Sequence, residues 1–592
     1  MLDTNLTRRR FTAYFAGAGL GTTLLPGILW TKMQEARAAE VTSDMLVDAL
    51  AMAGLDFDEE ERDRMLQNVN SRVGEYETLR ELQIPNDVSP PFHFSPLVPG
   101  MEVNRAQEPF TISAIPALER PSNLEDVAFW SVRQLSELVR TRQVTSVELT
   151  DMYLSRLKRY NPLLNCVVTF TDEVAMAQAQ QADREIAAGR YRGPLHGIPW
   201  GAKDIIAARG YKTTWGSDAY QDQVIDMDAS VIEMIRDAGA VLVAKLSTGE
   251  LAGGDQWFGG QTMNPWDPTT GSGGSSAGPG SATAAGLVGF SIGTETSGSI
   301  LGPSSRCGVT GLRPTLGRVS RYGVMALSWT QDRLGPMCRY AEDCALVMRE
   351  IARPDGRDLS VQDIPFNWNA SLDVSRLRVG YVEDAFEEVD DATARRLNQA
   401  TLEDLRGLGM TVVPIQIPRW SVSVTAHNVE MAVFFDEALR SGRADLIGRQ
   451  TRVDGMRAAR LIPAVEYLQS QRARMMMMMT LAEATAGVDV YVVPRRTPGG
   501  AGGGRGGAGG GSQDPPPYSP SRNASNMTNY ACHPAVAVPT GFYDSGLPSS
   551  MTFYAHPFRE PELLAVAMAY QDATGHHLRH PDLDLGETQR GG

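Results

Sequence analysis

The sequence is poor in the residues that staple a chain or hold a metal. Its 592 residues include five cysteines (Cys166, Cys307, Cys338, Cys344 and Cys532) and no CxxC pair, which excludes a disulfide framework and a cysteine-based zinc site. Eight histidines contain no HExxH, so metal chemistry is not expected. Positive charge is also short: Lys+Arg is 55 against Asp+Glu 70, a net charge of −15. A chain this acidic lacks the basic face that phosphate contacts need, and nucleic acid is not an expected partner. Past Trp30 no run reads as transmembrane. What is there is 42% hydrophobic residues and 21% charged. That is enough apolar material for a sizeable core and too little charge for wholesale disorder.

The N-terminus reads as an address. Thr7-Arg8-Arg9-Arg10-Phe11 precedes an uncharged run from Ala13 to Trp30, and Ala36-Arg37-Ala38 supplies a small-residue cleavage site. Paired arginines before a Phe, with a Gly- and Thr-rich apolar stretch, are similar to a twin-arginine export signal. Retention as a membrane anchor is the alternative, and Gly17, Gly19, Gly21 and Pro26 weaken it. Residues 1–38 carry five basic and two acidic side chains, so their removal takes the net charge from −15 to −18. The expected location is the periplasm, with no stable membrane insertion once the signal is cleaved.

In the mature chain, 39–84 reads as a helical extension. Met45, Leu46, Ala49, Leu50 and Ala53 recur at helical spacing, and Met65, Leu66, Val69, Val73, Tyr76 and Leu79 follow an acidic start at Asp58-Glu59-Glu60-Glu61. Residues 85–125 are a Pro-rich linker expected to lie on a surface. A main domain, 126–585, opens with the capping box Thr145-Ser146-Val147-Glu148 before a helix to Tyr160. Helices over 174–189 and 228–238 alternate with short apolar strands such as Val241-Leu242-Val243-Ala244, which signals an α/β fold around a sheet. Ten glycines fill the thirteen positions 499–511, a flexible loop with no strand and helix to make it a phosphate cradle.

The chemistry lies upstream. Pro194-Leu195-His196-Gly197-Ile198-Pro199-Trp200-Gly201-Ala202-Lys203-Asp204 places a lysine in an apolar, proline-bounded strand, where desolvation lowers its pKa toward use as a base. Gly273-Gly274-Ser275-Ser276 and Gly293-Thr294-Glu295-Thr296-Ser297-Gly298-Ser299-Ile300 are glycine-rich but embedded among apolar residues. That suits close-packed backbone presenting N–H groups to an anion. From these residues alone a serine nucleophile with a lysine base is a candidate, not a demonstration.

These three blocks, in this order, resemble the amidase signature family across roughly residues 126–585. The resemblance implies an α/β fold with a mixed central sheet covered by helices, and hydrolysis of a carboxamide by a Ser–cis-Ser–Lys triad without metal or organic cofactor. It makes Lys203 the base, Ser275 the bridging serine after a cis peptide bond, and Ser299 the nucleophile. It also implies an oxyanion hole from the backbone of Thr296, Ser297 and Gly298, with Thr294 supporting the bridging serine and Ser276 orienting the lysine. The sequence departs from the family pattern at Ala277 and Pro279, at Glu295 and Ser297 where Asp and Gly are usual, and at Leu301 where Arg is common. The 42–84 segment resembles, more weakly, the small C subunit of tRNA-dependent amidotransferases.

The expected function is therefore an exported amidase acting on a small-molecule amide. A glutamine-dependent amidotransferase A-type subunit and a non-catalytic binding protein are the rivals. Oligomeric state and the identity of the amide are not legible. Among the remaining candidates, Lys203 could instead pair with Asp204. His196 reads as structural, Cys307 and Cys532 as small buried hydrophobes, and His533 as a residue near the substrate. Met475 to Met479 read as helix core or the lining of an apolar pocket.

Overall fold

In the computed structural model the described residues are 41–53, 55, 58, 59, 62, 63, 66, 69, 92–421, 426–494 and 518–583. Residues 1–38, read above as an export signal, most of the expected second N-terminal helical run and the glycine-rich stretch 499–511 lie outside them. The chain divides into two compact units, residues 1–90 with 457–468, and residues 91–456 with 469–592.

In the first unit, helix Ser43–Ala53 follows the predicted spacing. Leu46 and Val41 are buried, packed with Met45, Ala49, Leu66 and Val69. Of the side chains expected on the second run's apolar face, Leu66 and Val69 are thus in contact with the first helix, while Met65 and Val73 fall outside the described residues.

The second unit is built on an eleven-stranded mixed sheet. In chain order its strands are β1 (Val167–Phe170), β2 (Pro199–Lys203), β3 (Val241–Leu246), β4 (Phe290–Glu295), β5 (Thr310–Arg313), β6 (Arg333–Cys338), β7 (Arg378–Val382), β8 (Thr411–Ile415), β9 (Val490–Pro494), β10 (Ala535–Phe542) and β11 (Pro548–Ala555). Their spatial order is β1-β3-β2-β4-β6-β5-β10-β11-β9-β7-β8. The trio β3-β2-β4 is parallel, as is β9-β7-β8, and the strands between and at the β1 edge are antiparallel. Every residue of β2, β3 and β4 is buried, as strands covered on both faces require.

Local signals hold at the predicted places. Thr145 accepts from the Glu148 N–H while Glu148 returns a bond to the Thr145 N–H, and the helix runs Ser146–Leu164, one turn past its expected end, to a left-handed Asn165. The helices expected at 174–189 and 228–238 are Asp172–Ala187 and Ser230–Asp237. Residues 92–121 run over the second unit as an extended strap. Phe94 and Val98 pack on its apolar core, the Ser113 N–H and hydroxyl both donate to Glu342, and Arg133 reaches the Ser113 carbonyl. No helix among the described residues is long and apolar enough to cross a membrane.

Candidate active site

The carboxyl ends of β2 and β4, with the loops beyond them, bring the predicted residues together, the place where open α/β sheets take their ligands. Lys203 ends β2 and is fully buried. Its Nζ donates to Ser275 Oγ and to Thr294 Oγ1, each at 2.8 Å. Burial is the largest influence on this amine and pulls it from the ordinary lysine range down to about 7, with Arg452 adding to the fall and Asp332 and Glu295 opposing it. Lys203 makes no pair with Asp204. That carboxylate is taken by Lys245 on β3, at 2.8 Å, and by the Thr214 N–H.

Ser275 follows a cis Gly274–Ser275 peptide bond, and Ser276 is the residue before helix Ala277–Ala284. The Ser276 hydroxyl accepts from the Thr294 N–H and donates to the Thr294 carbonyl, both at 3.1 Å. Thr294, not Ser276, touches the lysine directly. Ser276 holds the backbone of β4 that carries Thr294, because its place before a helix turns its side chain onto that strand.

Ser299 stands in the turn between β4 and the short helix Leu301–Cys307, half-buried, next to an exposed Ser297 and a half-buried Gly298 at φ +91°. The Ser276 N–H donates to the Ser299 carbonyl at 3.0 Å, which ties the two serine loops together. Among the described residues the Ser275 and Ser299 hydroxyls share no hydrogen bond. The expected bridge is therefore made on the lysine side only, and catalytic hydrogen bonds of this kind tighten in the substrate complex. The N–H groups of Ser297 and Gly298 have no acceptor among the described residues, which leaves them available to an oxyanion.

Sequence reasoning missed what holds this turn. Glu295 accepts from the N–H of Ile300 at 2.8 Å and of Leu301 at 3.0 Å, and pairs with Arg313 at 2.9 Å. Burial works against its ionisation, but Arg313, Arg333 and these two N–H groups more than offset that and hold the carboxyl below its usual range. Arg313 and Arg333 share the Asn529 side chain, and Arg333 also donates to the Thr296 carbonyl at 2.9 Å. The Thr296 hydroxyl donates to Asp332 at 2.6 Å. Glu295 takes Arg313 as its partner and caps the turn after Ser299, while Leu301 is buried in the apolar core. A glutamate just upstream of a helix start was the available signal.

The other candidates lie as follows. His196 is buried, accepts from the Arg192 N–H and is lowered chiefly by burial. His533 is buried with Nδ1 at 3.0 Å from the Tyr491 hydroxyl, and its carbonyl accepts from Arg313. Its contact is thus with the scaffold of the turn. Cys307 and Cys532 are buried. Met477 and Met478 are core, whereas Met475, Met476 and Met479 are exposed on helix Ala464–Thr485. Among the described residues no cluster of His, Cys, Asp or Glu is arranged to hold a metal.

The chain is similar to known proteins over most of its length. The chain is 36% identical over 485 residues to the A-type subunit of the glutamyl-tRNA(Gln) amidotransferase of Methylococcus capsulatus, covering 76% of this chain and 98% of the relative. It is 32% identical over 487 residues to the corresponding protein of Coxiella burnetii, covering 76% and 99%. The native peptide amidase of Stenotrophomonas maltophilia superposes with a TM-score of 0.65 at 28% identity, covering 77% of this chain and 99% of that one. The amidase family model matches residues 148–564. The chain belongs to the amidase family, whose members act on amide C–N bonds.

Proposed function

We propose that this chain is an exported amidase that hydrolyses a carboxamide to a carboxylate and ammonia or an amine through an acyl-enzyme on Ser299. The observation that carries the reading is a fully buried lysine, lowered to about 7, whose Nζ lies 2.8 Å from the bridging serine. At neutral pH a large share of Lys203 is an amine with a lone pair. In that state one N–H donates to Thr294 and the lone pair takes the Ser275 proton, as Ser275 takes the proton of Ser299. The Ser299 oxygen bonds to the amide carbon, and the carbonyl electrons move onto an oxygen facing the Ser297 and Gly298 N–H groups. A donor of this kind lowers the barrier by about 3 kcal/mol. As the C–N bond breaks, the relay returns a proton through Ser275 to the leaving nitrogen. Water then adds to the ester, and the same lysine takes and returns the second proton. Glu295 and Arg333 fix the turn at both ends, so the N–H groups need no reorganisation.

The second reading, an amidotransferase A-type subunit, is favoured by the identity to two such proteins. Against it stand the twin-arginine-like segment at Arg8 and Arg9, which supports export, and a net charge of −15, which opposes tRNA. Ammonia release from a panel of aliphatic, aromatic and peptide amides and from glutamine separates the two. Broad hydrolysis abolished by Ser299→Ala is the expected result, and turnover of glutamine alone would favour the rival. Substantial turnover in purified Ser299→Ala would sink the assignment of the nucleophile. Replacing Arg8 and Arg9 by lysine is expected to trap precursor in the cytoplasm. Normal export of that variant would remove the twin-arginine route.

A further inference from the structure

Arg474, on helix Ala464–Thr485, is a fully buried cation that bonds to no carboxylate among the described residues. Its Nε donates to the Tyr530 carbonyl at 2.7 Å. Its terminal nitrogens donate to the Thr330 carbonyl at 2.8 Å, the Thr330 hydroxyl at 3.0 Å and the Cys532 sulfur at 3.5 Å. Burial lowers this guanidinium, with Cys532 and Glu430 opposing the fall. The flat face of the fork is covered by the strap: the guanidinium carbon sits 3.7 Å from the centroid of the Phe94 ring. An aromatic face attracts a cation, and more strongly where water is excluded. Phe94 is half-buried and packs on the apolar cluster that contains Leu301, two residues past Ser299. It stands upstream of the residues that the amidase family model matches, 148–564.

The two carbonyls joined by Arg474 belong to two segments that converge on Thr296. The first is 327–332. Asp332 accepts there from the N–H groups of Leu327 and Ser328, and Glu430 accepts from Ser328 and Thr330. The same Asp332 accepts from the Thr296 hydroxyl at 2.6 Å. The second segment is the end of helix Pro520–Tyr530. Its Asn529 side chain accepts from Arg333 at 2.7 Å, and the same Arg333 nitrogen donates to the Thr296 carbonyl at 2.9 Å. Thr296 is thus held at its hydroxyl through one segment and at its carbonyl through the other. Ser297 and Gly298 follow it directly, so the aim of their N–H groups depends on the spacing that Arg474 fixes between the two segments. Spanning two carbonyls at once takes the planar fork of an arginine, and Phe94 closes one side of that plane.

We propose that Phe94 and Arg474 are positioning residues for amide hydrolysis: the ring of the strap clamps the buried guanidinium, which sets the two segments that aim the Ser297 and Gly298 N–H groups. The proposal rests on the reading of those N–H groups as the oxyanion site. It gives the strap a part in turnover as well as in packing. The oxyanion forms only as Ser299 attacks, so loosening its donors lowers kcat and leaves substrate binding in place.

Two replacements at Phe94 separate the ring from its bulk. Phe94→Leu keeps an apolar side chain on the core and removes the aromatic face, whereas Phe94→Tyr keeps the face. In an amide-hydrolysis assay Phe94→Leu is expected to lower kcat about 10-fold with KM within about 2-fold, and Phe94→Tyr to keep at least about half of the original kcat. Arg474→Lys is expected to lower kcat by about 10-fold or more. Phe94→Leu/Arg474→Lys should fall little further, because the ring then has no planar fork to hold. Additive losses, a change carried by KM, or a Phe94→Tyr as slow as Phe94→Leu would overturn the proposal. Hydrogen exchange followed by mass spectrometry reads the clamp without turnover. In Phe94→Leu the peptides spanning 296–301 and 327–332 are expected to exchange about 5- to 10-fold faster, with β3 unchanged, and Phe94→Tyr to restore the slow rate. Equal acceleration in β3, or none at 296–301, would show Phe94 to be ordinary packing and overturn the clamp. If the enzyme hydrolyses no amide, the hydrolysis reading fails, and exchange at 296–301 alone decides whether Phe94 positions that turn.

Discussion

Lys203 and Lys245 are buried side by side on adjacent parallel strands, with Ala202 opposite Lys245 and Lys203 opposite Leu246. Lys245 is met by the Asp204 carboxylate at 2.8 Å, the Lys212 carbonyl and the Thr213 hydroxyl. Lys203 is met only by hydroxyls and one carbonyl, those of Ser275 and Thr294. The same side chain at the same depth thus has two fates. A carboxylate in contact makes a lysine a fixed ion pair of the scaffold. Hydroxyls alone leave desolvation to win, and the amine becomes a base within reach of neutral pH.

The sharpest break in that comparison is functional. Lys203→Met and Ser299→Ala are each expected to lower kcat by at least about 1000-fold in an amide-hydrolysis assay, with circular dichroism unchanged. Lys245 cannot substitute, since its ammonium is committed to Asp204. The stabilities should run the other way. Lys245→Met strands a buried Asp204 and is expected to cost about 3–5 kcal/mol in denaturant unfolding, and Lys245→Met/Asp204→Leu should recover most of that. Lys203→Met strands no charge and is expected to leave the unfolding midpoint equal or higher. Equal destabilisation by both lysine variants would erase the distinction.

Much of this contrast was legible in the sequence. An apolar, proline-bounded strand around Lys203 is enough to predict burial and a lowered pKa, and the glycine-serine blocks are enough to predict tight backbone loops. The alternation of helices and short strands gave the α/β class, because each element carries its own period. What could not be read is pairing across long sequence separation. Asp204 is adjacent to Lys203 in the chain, yet strand geometry turns successive side chains to opposite faces and gives Asp204 to Lys245. Glu295 meets Arg313, and both Arg313 and Arg333 meet Asn529, only once β4, β5, β6 and the helix Pro520–Tyr530 are in place. That the Thr294 hydroxyl meets Lys203 while the Ser276 hydroxyl meets the Thr294 backbone has the same origin: it depends on how β4 and the Ser276 loop pack together.

Proton linkage sharpens the comparison further. Lys203 must be neutral to act, so kcat/KM should rise with pH through a limb near 7. The unfolded lysine titrates near its ordinary value of 10.5, so between about 7 and that value the unfolded state binds more protons than the folded one. Stability contributed by this group therefore increases with pH across that window, and Lys203→Met is expected to flatten the slope. A limb near 10 would show that burial does not govern this amine.

The smallest expected effect separates the two lysines by their threonines. In the structure Lys203 donates to Thr294, and an accepting oxygen favours the ammonium over the amine. Thr294→Val keeps the shape and removes that acceptor, so the ascending limb of the pH–rate profile should move to lower pH. A hydrogen bond to a charged group contributes about 1.5 kcal/mol, which corresponds to about one pH unit. The maximal rate should fall no more than about 10-fold, since Ser275 still meets the amine. Thr213→Val removes the equivalent hydroxyl from Lys245, which also meets the Asp204 carboxylate. It is expected to cost about 1 kcal/mol of stability and leave the pH–rate profile in place. A Thr294→Val limb displaced to higher pH would mean that the hydroxyl donates to the neutral amine. Thr294 would then be feeding the base a proton rather than orienting its lone pair toward Ser275.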